Sequence, residues 1–312
     1  MTIVAGKGGV GKTTVTATIA LAAARLGLRA LIVEVEGKSG LPALFGQRHL
    51  DYDEVVLYSS PDSDGEVRAR TLTPDESLVE YLGDHGLKRI SKRLAESGAL
   101  DMVATATPGI KDVLILGKVK QLERGGTADL VIVDAPAAGH AITFLSSAEG
   151  LLDAVTVGPI QSQAQEVRAL LTDAARCQVV LVTLPEETPV NELVETAYSL
   201  EDRVGVKLGP VVVNGIYPDL PGLDTSAATA AKRAGVKLPA AEIAALDAAA
   251  EFRTDRRELQ EEQLERLAKE LPLEQVRLPF LFQSDLDLGA LTTLADALTS
   301  QLERLANVVT PT

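Results

Sequence analysis

The most constraining feature of this chain is a glycine-rich run near its start, which reads Gly-Lys-Gly-Gly-Val-Gly-Lys-Thr over residues 6–13. It satisfies the phosphate-loop pattern G-x-x-x-x-G-K-[ST]. The apolar run at 2–5 predicts a strand before it, and the alanine-rich stretch at 13–26 predicts a helix that Gly27 ends. Since strand, loop and helix follow in this order, the run indicates a nucleotide-binding α/β fold and not a chance glycine-rich turn.

Each residue type in this loop has a physical role. Glycines let the backbone curl so that successive N–H groups point at phosphate oxygens, and the positive end of the next helix adds to the attraction. Lys12 is expected on the β- and γ-phosphates, the Thr13 hydroxyl on Mg²⁺, and Thr14 beside the α-phosphate. The loop residues predicted to bind nucleotide are Gly6, Lys7, Gly8, Gly9, Val10, Gly11, Lys12, Thr13 and Thr14.

Composition and patterning predict the fold class. Apolar residues make up 46% of the chain and aromatic residues only 3%, so the core must consist mainly of Val, Leu, Ile and Ala. Such a core suits a mostly parallel sheet covered by helices on both faces, and alternating strands and helices indicate a doubly wound α/β fold. Strands are predicted at 2–5, 30–35, 55–58, 68–72, 130–134, 179–183, 211–214 and 276–278, and helices at 13–26, 75–82, 87–96, 110–123, 164–175, 190–203, 240–271 and 287–305.

The domain organisation predicted from this pattern is a single P-loop domain over residues 1–312. Two helical insertions are expected within it, at 75–125 and at 218–271. The second insertion precedes the last strand and the last helix, and the chain shows no internal repeat or low-complexity tract.

Charge and cysteine content limit the function classes. The net charge of −14 disfavours binding to nucleic acid or to an anionic membrane. The densest basic segment, at 88–93, is interpreted as a solvated helix face. Cys177 is the only cysteine, which suggests a reducing compartment, and the aliphatic run after it predicts a buried thiol. With no signal peptide and no integral membrane segment in the pattern, we expect a cytoplasmic protein.

The run from Lys7 to Thr14 resembles the deviant Walker A loop of arsenite-pump ATPases, tail-anchored-protein targeting ATPases, MinD, ParA and the nitrogenase iron protein. In that superclass the early lysine reaches across a dimer interface to the phosphates of the partner's site. The resemblance implies that Lys7 supplies a charge in trans, much as an arginine finger does. An exposed loop lysine without this role is the alternative.

The segment after residue 134 resembles one branch of that superclass. Asp134 ends an aliphatic strand, where a carboxylate can hold Mg²⁺ together with Thr13. The arsenite-pump and tail-anchor-targeting branch has the switch II pattern Asp-Thr-Ala-Pro-Thr-Gly-His followed by Phe-Leu. Positions Asp134, Gly139, His140, Phe144 and Leu145 match this pattern, whereas Ala135, Ala137 and Ala138 depart from it. His140 either senses the nucleotide state or caps a helix.

Further positions are carried over from the same branch. The strand ending at Asn214 resembles the one whose asparagine recognises adenine, and a turn residue is the alternative. Leu278-Pro279 also fits the branch, which implies that Pro279 contacts the nucleotide. Glu36 stands where the branch has the aspartate that orients the attacking water. Its extra methylene would alter that orientation and slow hydrolysis, and a structural role for Glu34 or Glu36 is the alternative.

The predicted function is that of a dimeric Mg-ATPase whose hydrolysis drives a conformational switch on a partner or client protein. Its predicted catalytic residues are Lys7, Lys12 and Glu36, its cofactors are ATP and Mg²⁺, and its second chain is an identical copy or a paralogous ATPase. No zinc or arsenite site is expected, since both need several cysteines. Alternatives are a MinD- or ParA-type positioning ATPase, a cluster-bearing reductase, and a weakly active regulatory subunit paired with an active paralogue.

Overall fold

The computed structural model describes residues 1–35, 40–84 and 109–309 of the chain. Some sequence predictions fall outside these ranges, namely the catalytic role of Glu36, the helix at 87–96 and the basic segment at 88–93. The described residues contain the whole phosphate loop and the other residues predicted to bind nucleotide or metal.

Within the described ranges, eight strands form one central sheet: β1 (Thr2–Gly6), β2 (Arg29–Val35), β3 (Val55–Ser59), β4 (Glu66–Leu72), β5 (Leu130–Ala137), β6 (Gln178–Thr183), β7 (Val211–Ile216) and β8 (Gln275–Pro279). Their order in the sheet is β3-β4-β2-β5-β1-β6-β7-β8. All neighbours run parallel except β3 and β4, which form an antiparallel pair at one edge. The mostly parallel α/β sheet predicted from the sequence is confirmed.

The helices in the described ranges surround this sheet: α1 (Lys12–Arg25), α2 (Leu41–Leu44), α3 (Pro74–Asp84), α4 (Ile110–Arg124), α5 (Ala138–Ala154), α6 (Pro159–Leu171), α7 (Glu187–Val204), α8 (Ala227–Ala234), α9 (Ala240–Glu270) and α10 (Leu288–Val309). None of these described helices combines the length and the apolar character needed to cross a bilayer. Helices α8 and α9 lie in the region predicted as the second helical insertion. The division into one domain with insertions stays a prediction.

Some helices differ from the sequence-based prediction. The helix predicted at 164–175 begins earlier, at Pro159, because proline is favoured in the first turn, and it ends at Leu171. Helix α5 was not predicted. Helix α8 lies in a stretch predicted as loop, and its start is stabilised by Ser226, whose hydroxyl accepts a hydrogen bond from the Thr229 N–H.

Both faces of the sheet are buried under helices. Ile3 and Val133 face a core formed with α4, α5, α6 and α7. Val4 and Ile132, the neighbours of these residues along the strands, face a second core formed with α1 and α10. Because successive strand residues point to opposite faces and both faces are dry, the strands read as continuous aliphatic runs.

Helix α9 is mostly exposed, and its buried residues are Gln260, Leu264 and Leu267. The Gln260 carboxamide accepts a hydrogen bond from the Tyr217 N–H at 2.9 Å and donates one to the Gly215 carbonyl at 3.0 Å. These two bonds hold the long helix against the carboxyl end of β7.

Cys177 is buried, as the sequence predicted, with 1% of its surface exposed. Burial raises the pKa of its thiol to about 12. Since the thiolate is the reactive form of cysteine, Cys177 is an inert core residue near neutral pH.

Candidate nucleotide-binding site

The predicted phosphate loop connects the buried end of β1 to the first turn of α1. Gly9 and Gly11 have φ angles of 87° and 90°, in the left-handed region that favours glycine. At Gly6 a Cβ would lie 2.3 Å from the Val182 carbonyl oxygen. At Gly11 it would lie 2.3 Å from Asn214 Nδ2. Backbone conformation therefore requires glycine at 9 and 11, and the close approach of neighbouring strands requires it at 6 and 11.

Lys12 begins α1, and its ammonium group lies against the loop backbone. Its Nζ donates a hydrogen bond to the Lys7 carbonyl oxygen at 3.2 Å. Burial lowers the pKa of Lys12, and the nearby Asp134 carboxylate opposes that shift. The structure thus holds the ammonium beside the glycine-rich backbone, where the motif predicts phosphate.

Thr13 and Asp134, the two predicted metal ligands, are in contact. The Thr13 hydroxyl donates a hydrogen bond to Asp134 Oδ2 at 2.7 Å, although 121 residues separate them in sequence. Asp134 is 6% exposed, and its Oδ1 is buried without a hydrogen-bond partner. Burial raises the pKa of Asp134, the Thr13 bond and Lys12 oppose this, the nearby Glu34 raises it further, and the Thr16 hydroxyl lowers it. A buried carboxylate oxygen without a donor fits a site for a cation.

Lys7 forms an ion pair within its own chain. Its Nζ lies 2.7 Å from Glu192 Oε1 on α7, and the two side chains are 38% and 40% exposed. No sequence pattern marked Glu192 as a site residue, because this contact joins segments 185 residues apart.

A cavity of about 400 Å³ adjoins the loop and brings together four of the predicted nucleotide-binding residues, Gly9, Thr14, Asn214 and Pro279. Asn214 Nδ2 donates a hydrogen bond to the Val10 carbonyl oxygen at 3.0 Å, so β7 is fastened to the loop. The other lining residues follow β6, end β7, or lie between β8 and α10 and on α10, and include Leu184, Gly215, Phe280, Gln283 and Ser284. The sequence analysis did not identify these residues, since no motif marks them.

The predicted switch II residues lie at the junction of β5 and α5. Ala137, the last residue of β5, pairs with Gly6, and its Cβ lies 4.0 Å from the position a Cβ would take at Gly8. Gly139 and His140 follow in the first turn of α5 and are exposed. The start of α5 is therefore adjacent to the phosphate loop, whereas His140 faces solvent.

Comparison with known proteins agrees with this geometry. Residues 1–157 match the family model described as an anion-transporting ATPase, so the match includes the phosphate loop and the Asp134 segment. The chain belongs to the ArsA family of anion-transporting ATPases. The family resemblance predicted from the loop and from the residues after Asp134 is thereby confirmed, and this chain is an ATPase of that family.

Several relatives of this ArsA-family chain are similar over most of its length. It is 33% identical to the ATPase BagA of Mycobacterium tuberculosis over 263 residues, which cover 78% of this chain and 76% of that protein. It is 27% identical to the arsenical pump-driving ATPase of Escherichia coli over 239 residues, 68% of this chain and 39% of the pump ATPase. It is 22% identical to the ATPase GET3C of Arabidopsis thaliana over 264 residues, 69% of this chain and 66% of that protein.

Proposed function

We propose that this chain is a Mg-ATP-dependent ATPase that works as a dimer. ATP binding closes two subunits around their nucleotides, and hydrolysis reopens them, which drives a conformational switch in a partner or client protein. The observation that carries the proposal is the phosphate loop itself, with Lys12, Thr13 and Asp134 gathered at its end and the half-exposed Lys7 at its start.

The residues around the loop fit Mg²⁺. Thr13 and Asp134 would hold it, since Mg²⁺ prefers oxygen ligands and is usually bound by one or two carboxylates, phosphate oxygens and water. The buried Oδ1 of Asp134, which lacks a hydrogen-bond donor, supports this assignment. When bound, the cation neutralises charge on the phosphates. Lys12 adds a fixed positive charge beside them, and the glycine backbone positions them.

We propose that Asn214 selects the base. One N–H of its amide is used by the Val10 carbonyl, which leaves the second N–H and the carbonyl oxygen for the edge of adenine. Adenine offers a donor at N6 and an acceptor at N7, whereas guanine has an acceptor at position 6. The amide therefore complements adenine and opposes a guanine carbonyl.

Asn214→Ala is expected to weaken ATP binding roughly tenfold, the effect of one lost hydrogen bond, and to weaken GTP binding much less. Fluorescence titration with labelled ATP and unlabelled competitors measures both affinities. Asn191→Ala, on α7, is the matched control, because Asn191 contacts Arg266 outside the cavity. Equal losses of ATP and GTP affinity would show that Asn214 only supports the loop and does not read the base.

The ion pair between Lys7 and Glu192 is compatible with a role of Lys7 in a dimer. Exposed ion pairs contribute about 0–1 kcal/mol, so the phosphates of a second ATP-loaded subunit would compete well for the lysine. The second subunit would be an identical chain or a paralogue. We infer that Lys7 rests on Glu192 in the single chain and leaves it when two chains close.

The test of the proposed function is the ATPase rate measured over a wide range of protein concentration, with dimerisation followed by sedimentation with and without ATP. The specific activity is expected to rise with concentration and to level off where the ATP-bound dimer is saturated. If the specific activity does not change with protein concentration and the protein stays monomeric, the proposed dimer is contradicted. ATP binding without turnover would favour the regulatory-subunit alternative, in which Glu36 fails to orient water.

A further inference from the structure

We propose that Glu34 is a second carboxylate of the magnesium site, which holds water bound to the cation and sets how tightly the cation binds. This inference rests on the proposed Mg-ATP function and adds a residue to it. The family pattern that implied Asp134 and Glu36 did not assign a role to Glu34, which the sequence left open as a structural residue.

Strand order places Glu34 next to Asp134. The two residues are register partners on the adjacent parallel strands β2 and β5. Partners on neighbouring strands point to the same face of a sheet, about 4.8 Å apart along the hydrogen-bonding direction. Ile32 and Ile132, two residues earlier on each strand, both pack in the core beneath α1. Glu34 and Asp134 therefore face the side of the sheet that carries α1 and its Thr13.

Both carboxylates of this pair are buried. Glu34 is 4% exposed and Asp134 is 6% exposed. Two carboxylates on adjacent strands bring two negative charges close together, and such charges repel each other. A divalent cation with its water would offset this repulsion.

The hydrogen bonds around the pair support the same inference. The Thr71 hydroxyl donates to Glu34 Oε2 at 2.7 Å, which fixes the orientation of the carboxylate. Asp134 accepts the Thr13 hydrogen bond at Oδ2, while its Oδ1 is buried and makes no hydrogen bond. Outer groups that orient metal-bound ligands typically change metal affinity by about 10- to 100-fold when they are removed. Glu34 is thus a positioning residue for the cation, acting through water.

The experiment replaces only the charge. In Glu34→Gln, the amide oxygen can still accept the Thr71 hydrogen bond, so a role limited to anchoring β4 would be preserved. Mn²⁺ serves as the probe and is titrated into the protein saturated with ADP, with free Mn²⁺ read by electron paramagnetic resonance. We expect the Mn²⁺ dissociation constant to rise about tenfold in Glu34→Gln, while ADP affinity measured in EDTA stays unchanged.

Glu80→Gln is the matched control, because Glu80 on α3 is a partly buried carboxylate that contacts Tyr52 and, on α4, Lys118. It should leave Mn²⁺ affinity unchanged. Wild-type Mn²⁺ affinity in a folded Glu34→Gln would overturn the inference. If that variant does not fold, Glu34→Asp, which keeps the charge on a shorter side chain, must weaken Mn²⁺ binding or the inference fails. No Mn²⁺ binding by the wild-type ADP complex would instead contradict the proposed Mg-ATP function.

Discussion

Lys7→Ala is expected to lower the ATPase rate at saturating protein by roughly 10²- to 10³-fold, the effect of removing one charge that stabilises a transition state. ATP affinity should change little, since Lys12 and the loop backbone remain. In the single chain, the Lys7 ammonium pairs with Glu192, while the Lys7 carbonyl accepts a hydrogen bond from Lys12. An ammonium that is partly exposed and held by one partly exposed ion pair can be transferred to a second subunit.

Replacing Glu192, the carboxylate partner of Lys7, is expected to raise activity instead of lowering it. Glu192→Gln releases the lysine, so activity at low protein concentration is expected to rise, by at most about fivefold, because an exposed ion pair contributes no more than about 1 kcal/mol. Steady-state rates and ATP binding are measured for both variants across protein concentration. Lys207→Ala, an exposed lysine before β7, is the control and should behave as wild type.

An unchanged rate in Lys7→Ala would mean that the site is complete within one chain. The role in trans would also be contradicted if mixing Lys7→Ala with a variant that lacks Lys12 restored no activity. A Lys12-deficient subunit can still lend Lys7 to its partner, so such mixed dimers should regain part of the wild-type rate when Lys7 acts across the interface.

Asp134→Asn is expected to lower the rate by roughly 10²-fold or more while leaving thermal stability unchanged or increased. The asparagine oxygen can accept the Thr13 hydrogen bond, but the charge that would attract the cation is lost. Burial raises the pKa of Asp134, which means that the folded chain disfavours the ionised form. This cost is absent below about pH 4, where the carboxyl is protonated in both states, and present at neutral pH. Removing the charge therefore relieves it.

Asp129→Asn is the matched control, because the charge of Asp129 stabilises the fold, whereas that of Asp134 destabilises it. The Arg29 guanidinium lowers the pKa of Asp129 to about 2, so its charge stabilises the fold above the unfolded pKa near 4, and that contribution is lost as the pH falls toward 2. The Asp129→Asn variant should therefore be slightly less stable than the wild type at neutral pH and keep full ATPase activity. Melting curves and Mg²⁺-dependent rates are compared for both variants, and wild-type turnover by Asp134→Asn would remove Asp134 from the metal site.

The helices show where local patterns predicted the fold and where they did not. Helix α1 was predicted because a strand, a glycine-rich loop and an alanine-rich stretch follow one another. Helix α5 was not, because apolar side chains lie along it without a clear polar face, and Ser and Gly within it weaken the helical pattern. The insertions at 75–125 and 218–271 are predicted only because strands and helices stop alternating there, and their role stays a prediction.

The sequence by itself determined the chemistry of the phosphate loop and the buried, two-faced character of the sheet, since glycine conformation, helix starts and aliphatic runs are local properties. Only the tertiary structure decided which distant groups meet there. Glu34 lies beside Asp134 because β2 neighbours β5, Lys7 meets Glu192 across 185 residues, and Asn214 meets Val10 across 204. Strand order and helix packing depend on how the whole core is filled. They therefore cannot be predicted from short stretches of neighbouring residues.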